Sequence, residues 1–141
     1  MRTEISNTGF PTVRINGVER LNKRILIVDH QADFRLLLRR MLETGCWSVV
    51  GEASTAPEAL ELYKRLQPGV VVMEFLLPGM DGLRTLRELL VRDPKAKVVI
   101  CSSIEAQAAV RTLITNGAKD FVPKPVHQAR LLSALEFALQ S

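Results

Sequence analysis

The sequence predicts an α/β protein built on a five-stranded, doubly wound parallel sheet. Short β-branched runs, apolar at nearly every position, fit strands buried on both faces. Amphipathic stretches of helical spacing separate them. That alternation requires crossover helices on both faces of the sheet.

The strand runs are Ile25 to Val28, Trp47 to Val50, Val70 to Met73, Val98 to Cys101 and, less apolar, Asp120 to Pro123. Between them the helical faces read Phe34, Leu37, Leu38, Met41, Leu42; then Ala59, Leu60, Tyr63, Leu66; then Leu83, Leu86, Leu89, Leu90. Two more follow, Ala109, Val110, Leu113, Ile114 and Leu131, Leu132, Leu135, Leu139. Gly45 is placed to stop the first helix and Asn116-Gly117 the fourth. Thr55-x-x-Glu58 and Ser102-x-x-Glu105 read as capping boxes before the second and fourth helices.

Residues 1–22 have a different texture, and the organisation expected is an N-terminal extension followed by one domain over 23–141. Within the extension, residues 12–21 place two β-prone runs around Asn16-Gly17, a pair suited to the positive φ angles of a tight hairpin turn. Arg14 then faces Glu19. Residues 1–11 read as disordered.

The chain has 141 residues, 47% hydrophobic and 24% charged, which suits one globular domain with a real core. Its net charge is +4, but Lys and Arg are spread among acids, which argues against a nucleic-acid surface. Cys46 and Cys101 fit no metal or redox spacing and are expected as buried thiols of a cytoplasmic protein. No apolar stretch approaches the ~18 residues a membrane span needs, and the start lacks a secretory signal.

In open sheets of this kind the functional crevice lies beyond the carboxyl ends of the strands. Those ends carry Asp29-His30, Glu74, Ser102-Ser103 and Lys124-Pro125. Any one of them fits an ordinary solvated loop. Two carboxylates, a hydroxyl and a lysine converging on one crevice form a candidate site.

Taken with Leu77-Pro78-Gly79-Met80-Asp81-Gly82 and Gly117-Ala118-Lys119-Asp120-Phe121-Val122-Pro123-Lys124-Pro125, these strand ends resemble the receiver domain of two-component response regulators over residues 23–141. The resemblance implies a flavodoxin-like (βα)5 sheet of order 2-1-3-4-5, no enzyme activity of its own, and a place in a phosphorelay. Residue by residue, Asp29 resembles a magnesium-binding acid, Glu74 occupies the phosphoacceptor position, Ser102 resembles the switch hydroxyl, Phe121 the aromatic switch and Lys124 the phosphate-binding amine. The Lys124-Pro125 bond resembles one that is cis in receivers. Protein partners are implied through the fourth helix, fifth strand and fifth helix, here Ala106, Ala109, Val110, Phe121, Val122 and the start of the last helix. Homodimerisation and contact with a histidine kinase stay open.

Two positions depart from the pattern. His30 stands where receivers carry a second acid, and an imidazole is a poor ligand for magnesium, which prefers hard oxygens. Glu74 stands where an aspartate is expected, and its extra carbon moves the carboxylate by roughly 1.5 Å. An ångström of misplacement costs on the order of 100-fold in an in-line transfer. The expectation is a phosphorylation-independent receiver with no cofactor, magnesium at Asp29 and Glu74 being weak. Glu74 then either forms a structural ion pair with Lys124 or stands in for a phosphorylated aspartate. The other readings are a working phosphotransfer receiver and a nucleotide-binding or other small-molecule module. The first loop lacks the glycines that cradle phosphate, and a zinc site from Asp29, His30 and Glu74 lacks a recognised spacing.

Overall fold

The computed structural model describes residues 3–5 and 11–141. A three-stranded antiparallel sheet of β1 (Thr3–Ile5), β2 (Pro11–Ile15) and β3 (Val18–Leu21) precedes the main domain. Asn16 and Gly17 turn the chain between β2 and β3 with φ angles of 51° and 77°, and Arg14 lies opposite Glu19. Strand β1 corrects the reading of residues 1–11 as disordered, because Thr3–Ile5 pairs with Pro11–Val13. Residues 1–2 and 6–10 of that reading lie outside the described residues.

The main domain runs β4 (Arg24–Val28), α1 (Ala32–Thr44), β5 (Ser48–Ala53), α2 (Ala56–Leu66), β6 (Val70–Met73), α3 (Gly82–Arg92), β7 (Val98–Ser102), α4 (Gln107–Thr115), β8 (Asp120–Pro123) and α5 (Gln128–Gln140). All five strands are parallel, in the order β5-β4-β6-β7-β8. Counted within this domain, that is the expected 2-1-3-4-5. The order reverses at β4 and β6, so the crevice falls between their carboxyl ends.

Alternation along the strands builds two cores. Ile25 and Ile27 face α1 and α5, packing with Leu38, Leu42, Leu131 and Leu135. Leu26 and Val28 face the other way, toward Ala59, Tyr63, Leu86, Leu89 and Leu113 of α2, α3 and α4. Every β6 and β7 residue is buried, which is why those runs carry no polar alternation.

Three local expectations need correction. The strand placed at Trp47 to Val50 begins at Ser48 and runs to Ala53, while Trp47 is a core residue packed with α1 and α5. Cys46 is exposed: it follows the end of α1 with φ of 68°, which turns it outward as Trp47 turns in. Ser102 does not cap α4, whose N-cap is Ala106 without a side-chain hydrogen bond. Ser102 ends β7 and points into the crevice instead. Thr55 does cap α2, its Oγ1 accepting from Glu58 N at 3.3 Å, while the Glu58 side chain accepts at 2.8 Å from Ser54 N, one residue before the cap N–H that a capping box uses.

Candidate functional site

Backbone pairing sets the strand ends side by side. Asp29 N donates to Ala53 O, Glu74 N to Val28 O and Lys124 N to Ser102 O, each at 2.9 Å. Asp29, Glu74 and Ser102 are buried at 1%, 3% and 0% exposure. Buried charges survive only when paired, so their partners decide what the site is.

The Lys124 amine lies between the two carboxylates, 2.9 Å from Asp29 Oδ2 and 2.7 Å from Glu74 Oε2. The second oxygen of Glu74 accepts from the Ser102 hydroxyl and, at 2.9 Å, from Leu76 N. Asp29 Oδ1 accepts from Gln31 N at 2.8 Å. Ser102 Oγ in turn accepts from Ile104 N at 3.3 Å. No buried side-chain polar atom lacks a partner among the described residues. Burial pulls the Lys124 amine down, but the hydrogen bonds it donates to Glu74 and Asp29 outweigh that and hold its pKa above the ordinary lysine value. Burial pushes the neighbouring Cys101 thiol up to about 12, which makes it an inert core residue.

The loop leaving Glu74 is tied back by Gly82. Gly82 N donates to Phe75 O at 2.6 Å, and a Cβ at Gly82 would sit 2.6 Å from Phe75 Cα. Only glycine permits that approach, which explains the residue at position 82. Asp81 then caps α3 by accepting from Arg84 N at 2.8 Å. The Lys124-Pro125 bond is cis.

Of the residues singled out from sequence, Asp29, Glu74, Ser102 and Lys124 form one contact network. His30 stands apart: its side chain is 40% exposed and Nδ1 is 4.0 Å from Asp29 Oδ1. Phe121 is half-buried on β8, packed against the α2–α3–α4 core and away from the carboxylates. On the expected partner face, Ala106 is exposed and Ala109 and Val110 half-buried, whereas Val122 is fully buried and belongs to the core. Strand alternation is the reason, since Val122 faces α5.

One contact was missed. The Phe34 ring lies with its centroid 3.8 Å from Lys124 Nζ. Its helical spacing with Leu38 marks it as a core position and conceals that second role.

A sheet of this order with an acid, a hydroxyl and a lysine at its strand ends defines a receiver-type signalling module. The sequence matches the response regulator receiver domain over residues 25–136, and the chain belongs to that family. It is 40% identical over 115 residues to the chemotaxis protein CheY of Thermotoga maritima, an alignment covering 82% of this chain and 96% of that protein. It is 30% identical over 143 residues to the CheY of Treponema pallidum, covering 96% of this chain and 99% of that one. Among solved structures, a LuxR-family two-component response regulator from Aurantimonas superposes with a TM-score of 0.79 at 33% identity, covering 82% of this chain and 84% of the other. The protein is thus a CheY-like receiver domain of two-component signalling.

Proposed function

We propose that this receiver does not depend on phosphorylation and that Glu74 is its built-in anion. One observation carries the reading. Glu74 contacts Lys124 through one oxygen and Ser102 through the other. The amine and hydroxyl that resemble a phosphate-sensing pair therefore already share an anion, and the carboxylate that would accept a phosphoryl group has both oxygens engaged. Glutamate brings one charge and two oxygens against up to two charges and three oxygens of a phosphate, so the mimicry is partial.

Magnesium fits this donor set poorly. Asp29 and Glu74 both bind the Lys124 ammonium, and the remaining position offers the imidazole of His30. No group of three or more His, Cys, Asp or Glu suited to a metal occurs among the described residues.

Output then runs through protein contacts rather than chemistry. The α4–β8–α5 face carries exposed Ile114 and Phe137, 43% and 59% exposed, beside the Asp120–Arg130 ion pair, and this is the surface proposed for a partner or a second copy. No described helix is long and apolar enough to cross a membrane.

The test is incubation with acetyl phosphate and magnesium, read by intact mass. Wild type is expected to stay unmodified. A stable phosphoryl adduct would establish the working phosphotransfer reading instead. The paired variant Glu74→Asp with His30→Asp restores the expected acids, and gain of an adduct there alone would tie the loss to these two positions.

A further inference from the structure

Phe34 lies in the first turn of α1 and belongs to two surfaces at once. Its half-buried ring packs against the core beneath α1 and α5 and meets Lys124 Nζ at 3.8 Å from the centroid. It also lines, with Gln31, Ala32, Asp33 and Leu37, a surface cleft of about 510 Å³. The ring therefore stands between that cleft and the amine.

The amine is held from three directions. Asp29 and Glu74 accept two of its hydrogens, and the ring face supplies the third contact. A cation over an aromatic face is attracted by the ring quadrupole, more strongly where water is excluded. The Lys124 side chain keeps 15% exposure, so water is largely but not wholly excluded from it. A smaller side chain at this position would open the amine to the cleft.

We propose that Phe34 is a gate on the pocket, holding the Lys124 ammonium between Asp29 and Glu74 and barring small oxyanions that approach from the α1 side. The proposal rests on the reading of Glu74 as a built-in anion, because the gate protects the Glu74–Lys124 contact from competition by phosphate or sulfate. Phe34 is a positioning residue here, acting on the pocket through Lys124. The raised pKa of that amine is in keeping with a cation held among attractive partners.

The test is pulse acetylation of the full chain with an N-hydroxysuccinimide ester, read lysine by lysine by peptide mass. Exposed Lys95 is the reference and buried Lys97 reports on global loosening. Phe34→Ala is expected to speed Lys124 labelling relative to Lys95 by roughly two- to thirtyfold, the range a cation–aromatic contact spans. Phe34→Tyr, which keeps the ring, is expected to match wild type. Sulfate should slow Lys124 labelling in Phe34→Ala and leave wild type unchanged. Lys124 labelling at the wild-type rate in Phe34→Ala overturns the gate, and so does equal acceleration in Phe34→Tyr. Should Lys97 labelling rise in parallel, Phe34→Leu decides: it fills the space without a ring face, and faster Lys124 labelling at steady Lys97 supports the proposal while no change refutes it. A phosphoryl adduct on wild type would remove the Glu74 reading without altering these rates, so the two failures are distinguishable.

Discussion

Replacing Lys124 with methionine probes the whole cage, because one amine neutralises two buried carboxylates. Asp29 and Glu74 are 1% and 3% exposed and touch the same nitrogen at 2.9 and 2.7 Å. Methionine keeps much of the side-chain volume but removes the only cation in contact with them among the described residues. Breaking a buried pair by deleting one partner costs about 3–5 kcal/mol, since it leaves uncompensated charge. In a domain of this size each kcal/mol lowers the melting temperature by roughly 2–4 °C, so a fall of about 10 °C is expected. Urea unfolding followed by the fluorescence of Trp47, the single tryptophan and a buried one, reads the change directly. Adding Glu74→Gln to Lys124→Met removes one of the two stranded charges and should restore part of the loss, a non-additive pair. A loss under about 1 kcal/mol, typical of an exposed pair, or strict additivity in the double variant would refute the caged-amine account.

Gly82→Ala is expected to cost about 1–3 kcal/mol through its clash with the Phe75 backbone, and chemical shifts of the Glu74–Gly82 loop should move with it. Thr55→Ala removes the cap acceptor for Glu58 N and should lower stability by about 1 kcal/mol, measured by the same urea titration. At alkaline pH the folded state should weaken: burial raises the Cys101 thiol from 9.0 to about 12, and burial with the Asp93 hydrogen bond raises the Tyr63 phenol. Folding then retains protons that the unfolded chain releases, so this stabilisation is intact below pH 9.0 and declines as pH rises above it. Cys101→Ala should flatten the first part of that decline, and an unchanged pH profile would count against the burial argument.

Much of the architecture was legible because the central strands are apolar on both faces and each helix on one. Val70–Met73 read correctly to the residue for that reason, and the edge strand Asp120–Pro123 also kept its bounds although only Val122 in it is buried. The β5 boundaries did not, since Trp47 is apolar for the core under α1 and α5 rather than for the sheet. Ser102 shows the same limit at the site. Its spacing to Glu105 is that of a capping box, yet the hydroxyl goes to Glu74, a residue remote in sequence. A local pattern cannot register a competing long-range acceptor.

The sequence by itself determined the sheet order, the four polar residues at its strand ends and the two departures, His30 and Glu74. The alternation of strands and helices follows from local periodicity and the polar ends from residue type, while the order and the two departures follow from the resemblance to receiver domains. Only the tertiary structure decided how the four residues divide their hydrogen bonds: Lys124 between both carboxylates, Ser102 on Glu74, His30 left outside and Phe34 over the amine. The physical reason is that a buried charge takes whichever partners the converging strands bring within reach, and that choice is made across the sheet rather than along the chain.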